Sequence, residues 1–315
     1  MEEYTIKEIR FASSDGSSTV CGWIYSPIDE PKGIIQISHG MCEYIGRYHD
    51  FMAECARAGY VICGHDHIGH GKSSPPEMYG YFGRDRGFRH LVSDLHYMTR
   101  IVKKEYPQLP CFLLGHSMGS FVARLYLSKY SDELTGVILS GTAGPNPLAK
   151  AGAAVCEGII ASKGPLHRSP FLDNLAFGAY NRRFSPIRTS KDWLTRDTDI
   201  VDKYINDPQC MFLFTACGYR DLFQMVSLVN QSSWYRTLRV QLPVLLISGD
   251  MDPVGDYGKG IEKVFCSMQK AGLQDVTMTL YPDARHELLN EINREEVYAD
   301  VLNWIGEHLP SPETL

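Results

Sequence analysis

Five short, uninterrupted apolar runs, separated by stretches of helical periodicity, constrain the fold of this chain more than any other feature. They occupy residues 33–37, 60–63, 111–114, 137–139 and 244–247. A strand that is apolar on both faces needs cover on both, which is the condition of a parallel sheet. The stretches between them repeat at helical spacing. Phe51, Cys55 and Ala58 form one stripe, stopped by Gly59; Phe88, Leu91, Leu95, Met98 and Val102 form a second; Met118, Phe121, Val122, Leu125 and Tyr126 form a third. Strand and helix in alternation imply an α/β fold with a doubly wound, mostly parallel sheet. Ahead of it, residues 5–12 and 20–26 are expected as two exposed-edge strands turned at Asp15-Gly16. A last helix is expected from Asn293, with Glu296 completing a capping box and Val297, Val301 and Ile305 buried.

The alternation fails over residues 143–237. This stretch opens on the breaker-rich Gly141-Thr142-Ala143-Gly144-Pro145-Asn146-Pro147 and returns to strand at Leu242-Pro243-Val244. Inside it Leu148, Ala151, Val155 and Ile159 share one helical face. The expected organisation is a core of residues 1–142 and 238–315, with 143–237 inserted after a sheet strand as a mainly helical cap. Further core helices of the same sheet are the alternative.

Composition narrows the function. The 315 residues carry a net charge of −6 with 44% hydrophobic content, and no Lys/Arg run is present, so nucleic acid is not an expected partner. No apolar run is long enough to span a bilayer, and the charged start Met1-Glu2-Glu3 is not that of a secretion signal. Nine cysteines without a C-x-x-C fit reduced thiols in a cytoplasmic setting. Any membrane contact is then expected to be peripheral, through the cap.

The chemistry sits where apolar runs end. Ligands of an open α/β sheet bind beyond the carboxyl ends of its strands. Ser38-His39-Gly40-Met41 follow the first run, and Gly115-His116-Ser117-Met118-Gly119 follow the third. Ser248-Gly249-Asp250-Met251-Asp252 follow the fifth. A further strand, Val276–Tyr281, leads into Pro282-Asp283-Ala284-Arg285-His286. A G-x-S-x-G between strand and helix lifts its serine out of the sheet on a strained turn, and side chains at 115 or 119 would crowd it. Ser117 needs a base, and the imidazole of His286 is the candidate. A carboxylate must orient that imidazole: Asp252 is the first choice and Asp250 the second. An oxyanion would need the backbone N–H of Met118, at a helix start, and that of Met41, beside the permissive Gly40. Met41 and Met118 contribute no side-chain chemistry.

The chain resembles the monoglyceride lipase and lysophospholipase branch of the α/β-hydrolases, often grouped with serine aminopeptidase-type hydrolases. The resemblance covers nearly the whole chain. It rests on the stretch from Ser38 to Tyr48, on Asp66-His67-Ile68-Gly69-His70-Gly71-Lys72-Ser73, on the serine elbow, and on Arg285-His286-Glu287-Leu288-Leu289-Asn290-Glu291. It implies the α/β-hydrolase fold and a serine carboxylic ester hydrolase. Monoacylglycerols or lysophospholipids are the implied substrates, and short-chain esters the alternative. It selects Asp252, matches the oxyanion donor to Met41, and implies a flexible apolar cap over an acyl channel, with no metal and no organic cofactor.

His65-Asp66-His67-Ile68-Gly69-His70 is close to a metallo-hydrolase motif, but Gly69 replaces its aspartate, so a loop shaped by glycines is expected. His39 and His116 are expected to support the loops, not to react, and Cys42 is expected to be inert. A non-catalytic binder of the same fold generally lacks a triad member, and none is missing here. A peptidase would need carboxylates in the cap to hold an amine, for which Asp192, Asp197, Asp199 and Asp202 are available.

Overall fold

A computed structural model describes residues 3–310. The strands are β1 (Tyr4–Ala12), β2 (Thr19–Pro27), β3 (Ile34–Ser38), β4 (Val61–His65), β5 (Cys111–His116), β6 (Gly136–Ser140), β7 (Val244–Gly249) and β8 (Val276–Tyr281). They form one sheet in the order β1-β2-β4-β3-β5-β6-β7-β8. The β1–β2 and β2–β4 pairings are antiparallel, and every later pairing is parallel. All five apolar runs became buried parallel strands. One expectation needs correction: β2 is no edge strand, because it hydrogen-bonds β1 on one side and β4 on the other.

Helices α1 (His49–Arg57), α2 (Phe88–Glu105), α3 (Met118–Tyr130), α9 (Lys259–Lys270) and α10 (Arg294–Glu307) cover the sheet. Because side chains alternate along a strand, each strand feeds two cores. Phe112 and Leu114 join Phe51 of α1 and Trp304 of α10 on one face. Cys111 and Leu113 join Leu95 of α2, Phe121 of α3 and Val264 of α9 on the other. The stripes expected for these helices are buried, except that Ala58 and Leu125 are half-buried. The expected capping box at Asn293 does not form. Its side-chain oxygen accepts from Arg196 and its amide donates to Glu296, so no side chain caps the first turn of α10.

Between β6 and β7 lie five helices, α4 (Ala149–Lys163), α5 (Pro170–Phe177), α6 (Thr198–Asn206), α7 (Ala216–Val229) and α8 (Ser232–Tyr235). The stripe at Leu148, Ala151, Val155 and Ile159 is not the buried face. In α4 the buried positions are Ala149, Gly152 and Cys156, offset from that stripe, and Gly152 packs against Phe223 of α7. Small residues let the two helices approach, and the bulky stripe is turned elsewhere. The end of this segment grips the sheet side. The buried Arg124 of α3 donates to the carbonyls of Ala143 and Val229, and its own carbonyl accepts from the Trp234 indole at 2.8 Å.

Candidate active site

β5 ends in the turn that carries Ser117, whose backbone stands at φ 51°, ψ −121°. A non-glycine residue held there costs of order 1–3 kcal/mol and persists only where its surroundings impose it. The surroundings are tight. A Cβ at position 115 would sit 2.7 Å from the Gly119 carbonyl oxygen, and one at 119 would collide with the carbonyls of Ser38 and His39. The two glycines are therefore required by close approach of β5, α3 and the loop after β3.

The hydroxyl meets its expected partners. Ser117 Oγ lies 2.8 Å from His286 Nε2, and His286 Nδ1 lies 2.9 Å from Asp252 Oδ2. Asp252 is buried, and its other oxygen accepts from the Val254 N–H at 2.8 Å. Asp250 is the carboxylate left out: one of its oxygens is buried without a hydrogen-bond partner. Burial alone would push the His286 imidazole down. The ionic hydrogen bond to Asp252 outweighs it, and Glu287 and Glu43 add to the same side, so its pKa is raised.

Met118 is the first residue of α3, so its N–H has no acceptor a turn earlier. Among the described residues the Met41 N–H has no protein acceptor either, and both residues line the cavity above Ser117. His39 braces the loop carrying Met41. Its Nδ1 donates to the Gly40 carbonyl at 2.8 Å while its Nε2 accepts from the His67 N–H at 2.9 Å. His116 packs 4.8 Å from the His286 ring, and burial beside that ring pushes its pKa down to about 3.

The cavity is about 900 Å³. The sheet side contributes Met41, Ser117, Met118 and His286. The 143–237 segment contributes an apolar wall that includes Leu148, Ala151, Val155, Leu175, Phe223 and Val226. Leu148, Ala151 and Val155 of the stripe thus face this space, while Ile159 packs half-buried against the core.

Three charged residues of the motif stretches, Glu43, Arg47 and Glu287, form a buried cluster beside the cavity. Arg47 donates to Glu287 in a bidentate pair at 2.7 and 2.6 Å and to Glu43 at 3.0 Å. Glu43 in turn accepts from the Gly40 N–H at 2.5 Å and the Tyr48 hydroxyl at 2.8 Å. Burial opposes a charge on Glu287, but Arg47 overcomes it and holds its pKa down to about 2. The i,i+4 spacing of Glu43 and Arg47 was the signal available in the sequence; the Glu287 partner, 240 positions away, was not readable.

The remaining expectations also have places. His65, His67 and His70 are buried near His39 with ring centroids 4.4–5.1 Å apart between neighbours. Among the described residues no group of three or more His, Cys, Asp or Glu is arranged to hold a metal ion. The thiol of Cys42 is buried, which pushes its pKa up to about 12, far from a reactive thiolate. Of the cap aspartates, Asp192 accepts from the backbone of Arg188 and Thr189, Asp197 caps α6, and Asp202 pairs with Arg188. None of these three, nor Asp199, lines the cavity.

Comparison with known proteins points the same way. Residues 29–293 match the family described as serine aminopeptidase, S33 (Hydrolase_4). The chain is 30% identical to the human monoglyceride lipase, covering 96% of this chain and 91% of that protein. It is 28% identical to the monoacylglycerol lipase of Mycolicibacterium smegmatis, covering 98% and 100%. The structure of a thermostable carboxyl esterase from Bacillus coagulans, in complex with glycerol, superposes with a TM-score of 0.92 at 33% identity over 97% of this chain and 99% of that one. With a serine elbow on an eight-stranded sheet and a family match spanning most of its length, the chain belongs to the serine aminopeptidase (S33) family of α/β-hydrolases.

Proposed function

We propose that this protein is a serine hydrolase of carboxylic esters, acting on monoacylglycerols through an acyl-enzyme. The reading is carried by one observation: the hydrogen-bonded chain Ser117–His286–Asp252 opens onto a long, largely apolar cavity. In this reading Ser117 Oγ attacks the ester carbonyl carbon while its proton passes to His286 Nε2. Asp252 holds the imidazole in the tautomer that can accept it and stabilises the imidazolium. The N–H groups of Met41 and Met118 receive the oxyanion, each worth about 3 kcal/mol in the transition state. Collapse of the intermediate expels the alcohol, which takes the proton back from His286. Water, activated by the same base, then releases the fatty acid and restores the serine.

The acyl chain would lie along the apolar wall supplied by residues 143–237, with that segment acting as a lid. The names of the relatives, monoglyceride lipase and monoacylglycerol lipase, favour this substrate over lysophospholipids and over short esters. The peptidase reading is weaker, because Asp192, Asp197, Asp199 and Asp202 do not line the cavity, and Asp173, which does, accepts from the Tyr219 hydroxyl. Peripheral contact with a lipid surface belongs to the same reading: Leu148, Phe171 and Leu175 stand exposed on this segment. A reducing, cytoplasmic setting is supported by nine free cysteines, eight of them buried.

The test is a hydrolysis profile over monoacylglycerols of graded chain length, lysophosphatidylcholine and an aminoacyl anilide, with Ser117→Ala as the blank. Monoacylglycerols should give the highest kcat/KM, and a fluorophosphonate should label Ser117. A preference for the anilide, or hydrolysis that survives Ser117→Ala, would replace this reading.

A further inference from the structure

The two halves of the proposed machinery hang from strands that do not touch. Met41 follows β3 and His286 follows β8, with β5, β6 and β7 between them in the sheet. At about 4.8 Å per strand the origins of the two loops are roughly 19 Å apart, so no strand register sets one loop against the other. The loops nevertheless arch over the sheet edge and meet, and the group at their meeting point is the Arg47 guanidinium.

We infer that Arg47 is a positioning residue that locks the loop carrying Met41 to the loop carrying His286, through Glu43 on one side and Glu287 on the other. This rests on the roles proposed above for Ser117, His286 and Met41. On the first side, Glu43 Oε2 accepts from Arg47 while Oε1 accepts from the N–H of Gly40, the residue before Met41. Every partner of Glu43 is a donor (Gly40, Arg47 and the Tyr48 hydroxyl), so the carboxylate is the form that fits. On the second side, Glu287 directly follows His286 and takes both arms of the guanidinium fork. Asn290 donates to the same carboxylate at 3.1 Å, and the Glu287 N–H donates to the Leu194 carbonyl at 2.7 Å. Tyr204 of α6 covers the guanidinium, its ring centroid 4.9 Å away. All three ions are nearly withdrawn from water, with side-chain exposures of 11% for Arg47, 3% for Glu43 and 5% for Glu287.

The chemistry of the three groups makes the link directional. A guanidinium presents a planar fork that can satisfy one carboxylate with two bonds and still reach another; an ammonium is a point charge and cannot hold that geometry. Without Arg47, two buried carboxylates would be left without their cation, and either one takes up a proton or the loops separate. Neither carboxylate needs to touch the ester. Their effect would be on where the Met41 N–H and the His286 imidazole stand relative to Ser117, so a loss should fall on kcat. A displacement of about 1 Å in such groups can cost on the order of 100-fold.

The experiment measures kcat and KM for a short p-nitrophenyl ester on the full chain. The variants are Arg47→Met, Arg47→Lys, Glu43→Gln, Glu287→Gln and the Glu43→Gln/Glu287→Gln pair, with near-UV circular dichroism and Tm as folding controls. Arg47→Met should lower kcat about 100-fold with KM moved by less than about threefold, and Arg47→Lys should recover part of the loss. Because either glutamine severs the same link, the double variant should be scarcely worse than the worse single variant, a strongly non-additive result. A folded Arg47→Met with undiminished kcat, losses confined to KM, or a double variant whose loss is the product of the single losses would overturn the inference. If Arg47→Met does not fold, the two glutamines and their combination decide by themselves. An unmodified protein unable to cleave the ester would instead count against the proposed function, and this inference would fall with it.

Discussion

The two walls of the cavity are built on opposite principles. The sheet wall is polar, rigid and over-determined: Ser117, His286 and Asp252 are joined by bonds of 2.8 and 2.9 Å, and glycines 115 and 119 leave no space for adjustment. The wall from residues 143–237 is mostly apolar and incompletely covered. Eight of the twelve large hydrophobic side chains left exposed among the described residues belong to residues 143–237, under a third of the chain, and four of them, Leu148, Val155, Leu175 and Met211, line the cavity. Exposed apolar groups concentrated on one segment mark a surface made to meet something apolar. The difference teaches that tightly bonded and exposed apolar groups are separated in this molecule: the Ser117–His286–Asp252 chain is held by hydrogen bonds and close backbone contacts, and exposed apolar side chains gather on residues 143–237.

That separation does not follow residues 143–237 as a unit. Residues 193–197 are tied to the histidine loop, with Arg196 paired to Glu291 at 2.9 Å and the His286 N–H donating to the Trp193 carbonyl at 3.4 Å. The exposed apolar groups gather instead in α4, α5 and their flanks, at Leu148, Val155, Leu166, Phe171 and Leu175. Motion of a lid, under the proposed function, is expected in this first half.

The contrast can be broken most forcefully on the sheet wall. Ser117→Ala should reduce kcat by roughly 10⁴–10⁶-fold with Tm preserved, read by steady-state hydrolysis and by loss of fluorophosphonate labelling. Asp252→Asn should cost at least about 10³-fold in kcat; Asp250→Asn should cost much less, and the reverse ranking would reassign the acid.

The pH response should divide the molecule further. His286 must be neutral to accept a proton, and its pKa is raised, so the acid limb of kcat/KM should lie above the ordinary histidine value of about 6.5. Stability should respond through other groups. His65 and His116 are buried and held down to about 3, so the unfolded chain binds protons first as pH falls. Their contribution is present above about 6.5 and is lost progressively between there and about 3. Activity should therefore fade at a higher pH than the Tm begins to drop; superimposed curves would contradict this.

The smallest effects belong to the other wall. Leu148→Ser or Val155→Ser should leave Tm and short-ester turnover nearly unchanged and raise KM for long-chain monoacylglycerols a few-fold. Each removes an apolar contact already half in water, worth well under the 1.5–3 kcal/mol of a buried side chain. An equal loss on short and long esters would erase the distinction between the walls.

Much of the arrangement was legible because its causes are local. The five apolar runs announced buried strands, Gly115 and Gly119 announced a close turn, and the stripes of α1, α2 and α3 pointed inward as their spacing required. The stripe of α4 differs from expectation because periodicity reports that a face is apolar, not what covers it; here a cavity lies where protein would ordinarily pack. The capping box at Asn293 failed because Arg196, nearly a hundred positions away, claimed the capping oxygen. The edge position of β2 was misjudged because strand order depends on partners that alternation does not name.

By itself, then, the amino-acid order determined the fold class, the serine turn and the residue types needed to activate it, since each follows from steric and periodic rules acting over a few neighbours. The cavity behind α4 and the Arg47 bridge were decided only in three dimensions. Burial and ionic pairing depend on groups up to 240 positions apart, and their strength is set by the water that folding removes between them.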